Sequence, residues 1–140
     1  MSFKRIMGIL LVICIGLTII GAVSAEEISV GDVKFNIPDG FKENSKLSGT
    51  MPGDDIFEET IYKTYANGTD NITINVAKAK ADVQKPHPMF EEEGKTINGH
   101  EGVYNETYQS FTYFEDGCLI MVCASNPDIF EQMLIKWGEY

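Results

Sequence analysis

The dipeptide Asp116-Gly117 constrains this chain more than any other feature. It stands between an aromatic-rich run, Tyr108–Glu115, and an apolar run, Cys118–Ser125. Asp-Gly between two such runs predicts a β-hairpin, because a type I′ turn needs positive φ at both central residues. A two-residue turn fixes the register: Phe114 faces Leu119, Tyr113 faces Ile120, Thr112 faces Met121 and Phe111 faces Val122. Side chains alternate along a strand. One face then carries Phe111, Tyr113, Ile120 and Val122, and the other carries Thr112, Phe114, Leu119, Met121 and Cys123. A hairpin apolar on both faces is expected at the centre of its sheet, with a layer packed on each side.

The residues that follow predict one of those layers. In Asn126-Pro127-Asp128, Asn suits a helix cap, Pro the first turn and Asp the positive end of the helix dipole. Ile129, Phe130, Met133, Leu134 and Trp137 recur at helical spacing and make one apolar stripe, with Glu131, Gln132, Lys136 and Glu139 mostly outside it.

Upstream, Ile28–Val30 and Val33–Ile37 read as two strands about a Gly31-Asp32 turn, with Val33, Phe35 and Ile37 on one face. Pro38-Asp39-Gly40 ends the second strand, and Phe41 is expected to fold back onto the core. Lys42–Asp55 is polar and reads as a loop. Its Asp54 and Asp55, with Glu58 and Glu59, lack the spacing of an EF-hand and read as a solvated acidic group. Ile56–Tyr65 and Asn71–Ala79 form a second hairpin around Asn67-Gly68, with Ile72, Ile74 and Val76 on its dry side. Pro86 and Pro88 interrupt Lys78–Glu93, in which Pro88–Glu93 is expected to make one helical turn. Asn98-Gly99 marks a further turn, so Ile97 and Val103-Tyr104 belong to a short hairpin or a bent strand. Gly102 within it predicts a bulge or a close backbone approach. The predicted fold class is α+β: a mostly antiparallel sheet with a C-terminal amphipathic helix packed on one face, after an N-terminal signal segment.

That segment is residues 1–25. Lys4 and Arg5 precede an apolar run, Ile6–Ile20, and Val23-Ser24-Ala25 supplies small residues before a cut ahead of Glu26. The alternative is an uncleaved anchor, since residues 6–23 are long enough to span a bilayer. Residues 26–140 form the single domain, large enough for a core of its own. Loss of Lys4 and Arg5 with the leader takes the formal net charge from −10 to −12. Such acidity disfavours nucleic acid and anionic lipid, and otherwise reads as solubility. Cys118 and Cys123 remain. Five steps along a strand is about 17 Å and turns the two side chains to opposite faces, whereas a disulfide needs Cα atoms within about 7 Å.

The chemistry-bearing residues form no recognisable constellation. There is no Gly-x-Ser-x-Gly, His-Glu-x-x-His, phosphate loop or dinucleotide fingerprint. His87 and Glu91, four apart, make a two-ligand metal pair without a third partner, or else a surface histidine flanked by prolines. His100 and Glu101 are neighbours that a strand would point to opposite faces. No catalytic, metal or cofactor residues are assigned. Asn67, Asn71 and Asn105 each begin an Asn-x-Thr sequon at or near a turn, where they serve as glycan acceptors or as ordinary turn formers.

Three segments also carry a resemblance: Val33–Phe41, with its Ile37-Pro38-Asp39-Gly40-Phe41, then Ile97–Gly102 and Phe111–Gly117. Together they resemble small secreted proteins of methanogenic archaea, and the layout is similar to the PsbP-type α/β/α sandwich. The likeness spans Val33–Trp137 and implies a fold and an extracytoplasmic location, with no active residues to carry over. The prolines at 86 and 88 depart from the long helix such a sandwich has. The function expected is a non-catalytic secreted or cell-surface binding module, recognising an unknown protein or cell-envelope component through Lys42–Asp55 and Lys80–Glu93. The alternatives are a membrane-tethered accessory subunit, held through residues 6–23, and a small hydrolase using carboxylates or His87 and His100.

Overall fold

The computed structural model describes residues 26–80 and 92–136. The signal segment, the His87–Glu91 pair and Trp137 lie outside them. The strands are β1 (Glu26–Val30), β2 (Val33–Ile37), β3 (Lys42–Glu43), β4 (Gly49–Pro52), β5 (Phe57–Ala66), β6 (Asn71–Ala79), β7 (Glu92–Ile97), β8 (His100–Asn105), β9 (Ser110–Glu115) and β10 (Cys118–Ala124), and one helix follows, α1 (Ile129–Met133). The fold is β-rich. The main sheet runs β3-β5-β6-β10-β9-β8-β7, with β4 also on the outer edge of β5, and all its pairs are antiparallel.

The hairpin expected around Asp116-Gly117 is β9–β10, in the register read from the turn: Phe114 opposite Leu119, and Phe111 opposite Val122. Asp116 and Gly117 take φ of 51° and 77°, as a type I′ turn requires. The hairpin sits at the centre of the sheet. Asn98 and Gly99, at 51° and 85°, make the same turn between β7 and β8. Glu92 and Glu93 are part of β7, so the helical turn expected over Pro88–Glu93 does not extend to them.

One face of the sheet is covered. The β1–β2 hairpin lies across it. A Cβ on Gly31 would stand 3.5 Å from Ile61 and 3.9 Å from Val76, and Lys63 Nζ donates to Ser29 O at 3.1 Å. Val30, Phe35 and Ile37 of this hairpin meet Ile72, Ile74, Val76, Phe111, Ile120 and Val122 of the sheet in one core. Phe41 folds back against it as expected. Ile129, Phe130, Met133 and Leu134 fill the remainder of the cover, all of them buried.

Two expectations need correction. The C-terminal helix is a single turn with its apolar residues buried, and it does not run on towards Trp137. Leu134 is extended, with φ −77° and ψ 122°, and forms a β-bridge with Phe35. Strand pairing with β2 thus captures the chain where the helical stripe would have continued, and a short helix has little cooperativity with which to resist. Its last carbonyls are met from the β7–β8 turn: Asn98 Nδ2 donates to Glu131 O at 2.9 Å and Leu134 O at 2.7 Å.

Second, Lys42–Asp55 is not a loop. β3 and β4 pair with β5 on either side of a 3₁₀ turn, Ser45–Leu47. The ten-residue β5 offers a row of donors and acceptors that must be met, and side chains bridge the gap between the two short strands. Ser48 Oγ accepts from Thr64 N at 3.1 Å, and Thr64 Oγ1 donates to Leu47 O at 2.9 Å.

Among the described residues no second layer covers the other face. Phe114, Leu119 and Cys123 are half-buried there, and Met121 is 38% exposed.

Gly102 makes the close approach expected of it. A Cβ at this position would lie 2.2 Å from Thr112 O, a backbone atom on the neighbouring strand. Gly102→Ala should therefore force β8 and β9 apart and cost about 2–3 kcal/mol, read as a lower urea midpoint. An unchanged midpoint would show that the strands accommodate the methyl group.

Candidate functional site

At one end of the covered face, register assembles a row of polar side chains that are scattered in sequence. Cys118 on β10 is opposite both Glu115 on β9 and Lys78 on β6. His100 on β8, two residues along from the Gly102–Tyr113 pair, is hydrogen bonded to Glu115. Four adjacent strands thus present His100, Glu115, Cys118 and Lys78 side by side. The β1–β2 turn overhangs them, and the chain beyond α1 passes alongside.

The space between is a pocket of about 360 Å³, within the range of small-molecule sites. Its floor is buried: His100, Tyr113, Cys118 and Ile120. Val33, Glu115 and Ile135 are half-buried walls, and Asp32, Lys34, Lys78 and Asp116 form an exposed rim. The site is therefore apolar at depth and charged at its mouth.

His100 is 3% exposed and held at both ring nitrogens. Nε2–H donates to the Ile135 carbonyl at 2.5 Å, and Nδ1 is paired with the Glu115 carboxylate. A carbonyl oxygen only accepts, so the Nε2 proton is fixed by geometry. The ring lies 5.0 Å from that of Tyr113, tilted by 45°. The histidine thus ties β8 to β9 and to the chain end that walls the pocket. Glu101, its neighbour in sequence, is exposed.

No protein-family model, curated protein or solved structure matches this chain. The site is read from its own geometry.

Burial pushes the Cys118 thiol above its ordinary value, and the charges of Asp32 and Asp116 push the same way against Lys78. Burial also raises Cys123, on the opposite face of β10. A thiol kept protonated is a poor nucleophile and a poor metal ligand. Among the described residues no group of three or more His, Cys, Asp or Glu is placed to hold a metal ion.

These shifts carry a prediction. Tyr65 is pushed up to about 12 by burial and by Glu43 and Glu26, and Tyr104 is raised by burial and by Glu106. Groups that stay protonated in the fold but ionise in the unfolded chain make the unfolded state bind fewer protons, so stability falls as pH rises. The decline should begin near the ordinary thiol value of 9.0 and continue towards about 12. Urea midpoints across that range test it. Cys118→Ser/Cys123→Ser should delay the onset, and a flat profile would contradict the assignment.

The sequons are separate from the pocket. Asn67 and Asn71 are exposed and Asn105 is half-buried. Asn67 Oδ1 accepts from Thr69 N at 2.8 Å and Asp70 N at 2.7 Å, and Asn105 Oδ1 accepts from Tyr108 N at 3.1 Å, so both act as turn formers. The residues that build the pocket were not apparent from sequence. Extending the β8–β9 register from Asn105 and Ser110 would have set His100 opposite Glu115, but the intervening turn, with Gln109 at φ 50°, has no Gly to announce it.

Proposed function

We propose that this domain is a non-catalytic binding module acting outside the cytoplasm, and that the pocket beneath the β1–β2 turn holds its ligand. The observation that carries this reading is a cavity with a buried, largely apolar floor and a charged rim. Ligand sites are typically concave and apolar with a few placed polar groups. The binding surface is placed at the opening between two hairpin tips rather than on Lys42–Asp55, much of whose backbone pairs with β5, while most of Lys80–Glu93 lies outside the described residues. An α+β description suits the domain in the limited sense that α1 and the β1–β2 hairpin share the cover of one sheet face.

The export reading rests on the n-region, apolar run and small-residue cut site of residues 1–25. A membrane-tethered accessory subunit is the second reading. It requires residues 6–23 to be retained, and a product beginning at Glu26 would remove it. No helix among the described residues is long and apolar enough to cross a membrane. Against the hydrolase reading weighs His100, whose two ring nitrogens are both engaged. Should the host glycosylate the chain, the exposed Asn67 and Asn71 are better acceptors than Asn105.

Native mass spectrometry of the protein from its own host tests the pocket. Wild type should carry a non-covalent mass that Val33→Trp, which fills the rim, does not. A mass retained equally by Val33→Trp but lost in Met121→Lys would move the binding site to the open sheet face.

A further inference from the structure

The identity of the ligand can be narrowed, on the reading that the pocket is the binding site. We propose that it selects small organic cations, a protonated amine or guanidinium on an apolar body. The apolar part is specified by Tyr113, Ile120 and Ile135. The charge preference comes from how the surrounding charges are matched. His100 and Glu115 are paired with each other on the floor. The two rim lysines are also paired, Lys34 Nζ with Glu27 at 3.6 Å and Lys78 Nζ with Glu58 at 3.4 Å.

Asp32 and Asp116 are different. They come from the tips of two separate hairpins, β1–β2 and β9–β10, which meet at one opening. Among the described residues neither is in an ion pair. Two carboxylates outside any ion pair among the described residues, beside a low-dielectric floor, attract a cation and repel an anion. Both charges reach the pocket floor, where Asp32 and Asp116 raise the Cys118 thiol against the opposing pull of Lys78. The acidity of the chain as a whole adds to the same field.

The test uses three probes of nearly equal size: benzylamine, benzyl alcohol and benzoate. Each is titrated into ¹⁵N-labelled protein, with the amides of Tyr113, Cys118 and Ile120 as the readout. Benzylamine should shift all three and bind about tenfold more tightly than benzyl alcohol, and benzoate should not bind. Asp32→Asn/Asp116→Asn should abolish the amine's advantage and leave the alcohol's binding in place. Both substitutions suit their turns, because Asn beside Gly is at home in a two-residue hairpin loop. Equal binding of the amine and the alcohol, or an advantage that survives the double substitution, would overturn the charge selection and leave the pocket as a ligand site. If no probe shifts these amides, the pocket reading itself fails and the cation preference with it.

Discussion

Phe35→Ala is expected to lower the unfolding free energy by about 4 kcal/mol. Phe35 is completely buried, and it joins three parts of the molecule. It lies on β2 opposite Ile28 of β1, it contributes to the sheet's core, and it is the β-bridge partner of Leu134. Removing the ring costs its transfer free energy and also leaves a cavity at the junction. Two of the joined parts are held to the sheet by few backbone hydrogen bonds, so they depend on such packing. Equilibrium urea unfolding should show a lower midpoint with little change in slope. A loss below about 1 kcal/mol would mean that the hairpin and the chain end collapse onto the gap.

His100→Ala should cost about 3 kcal/mol, by a different mechanism. The imidazole is the partner of both the Glu115 carboxylate, which is 13% exposed, and the Ile135 carbonyl. Truncation leaves a mostly buried charge and a backbone acceptor without it. The penalty for leaving such groups unpaired exceeds the net gain from pairing them. Glu115→Ala alone should also destabilise. The double variant should lose less than the two single losses combined, with a coupling of about 2 kcal/mol. Strict additivity across that cycle would show that the two side chains act independently. The substitution should also loosen Ile135, one wall of the pocket, so any ligand bound there should dissociate faster from His100→Ala than from wild type.

The sequence revealed local pairing well and long-range assembly poorly, and the two hairpin tips show why. Asp116-Gly117 and Asn98-Gly99 are two-residue turns whose backbone demands are written in their residue types, so register follows from counting. The alternation of Ile72, Ile74 and Val76 likewise gave the dry face of β6. The end of α1 was not legible, because its cause is Phe35, a residue almost a hundred positions earlier. A helical stripe records which side chains are apolar. It does not record that a strand will claim the fourth of them. Lys42–Asp55 was misread for a related reason: edge strands are short and polar, and their pairing is dictated by the length of β5 rather than by their own residues. The pocket was hidden because the row His100, Glu115, Cys118 and Lys78 takes one residue from each of four strands. Only Glu115 and Cys118 sit across a turn that the sequence announces.

The bridge between Phe35 and Leu134 also bears on how the chain is made. The second strand from the start of the described domain is completed by residues close to its end, with the whole sheet lying between them in sequence. Contacts of such wide separation form late, because the closure of long loops precedes any reward from them. A nascent chain that has not yet reached Leu134 can fold the β5–β6 and β7–β8 hairpins, yet it has nothing to seat against Phe35 and no Ile135 carbonyl to receive His100. Completion of the core therefore waits on synthesis of the segment from Ile129 to Ile135. Until then the apolar sides of β2 and β10 stay open to whatever handles the growing chain.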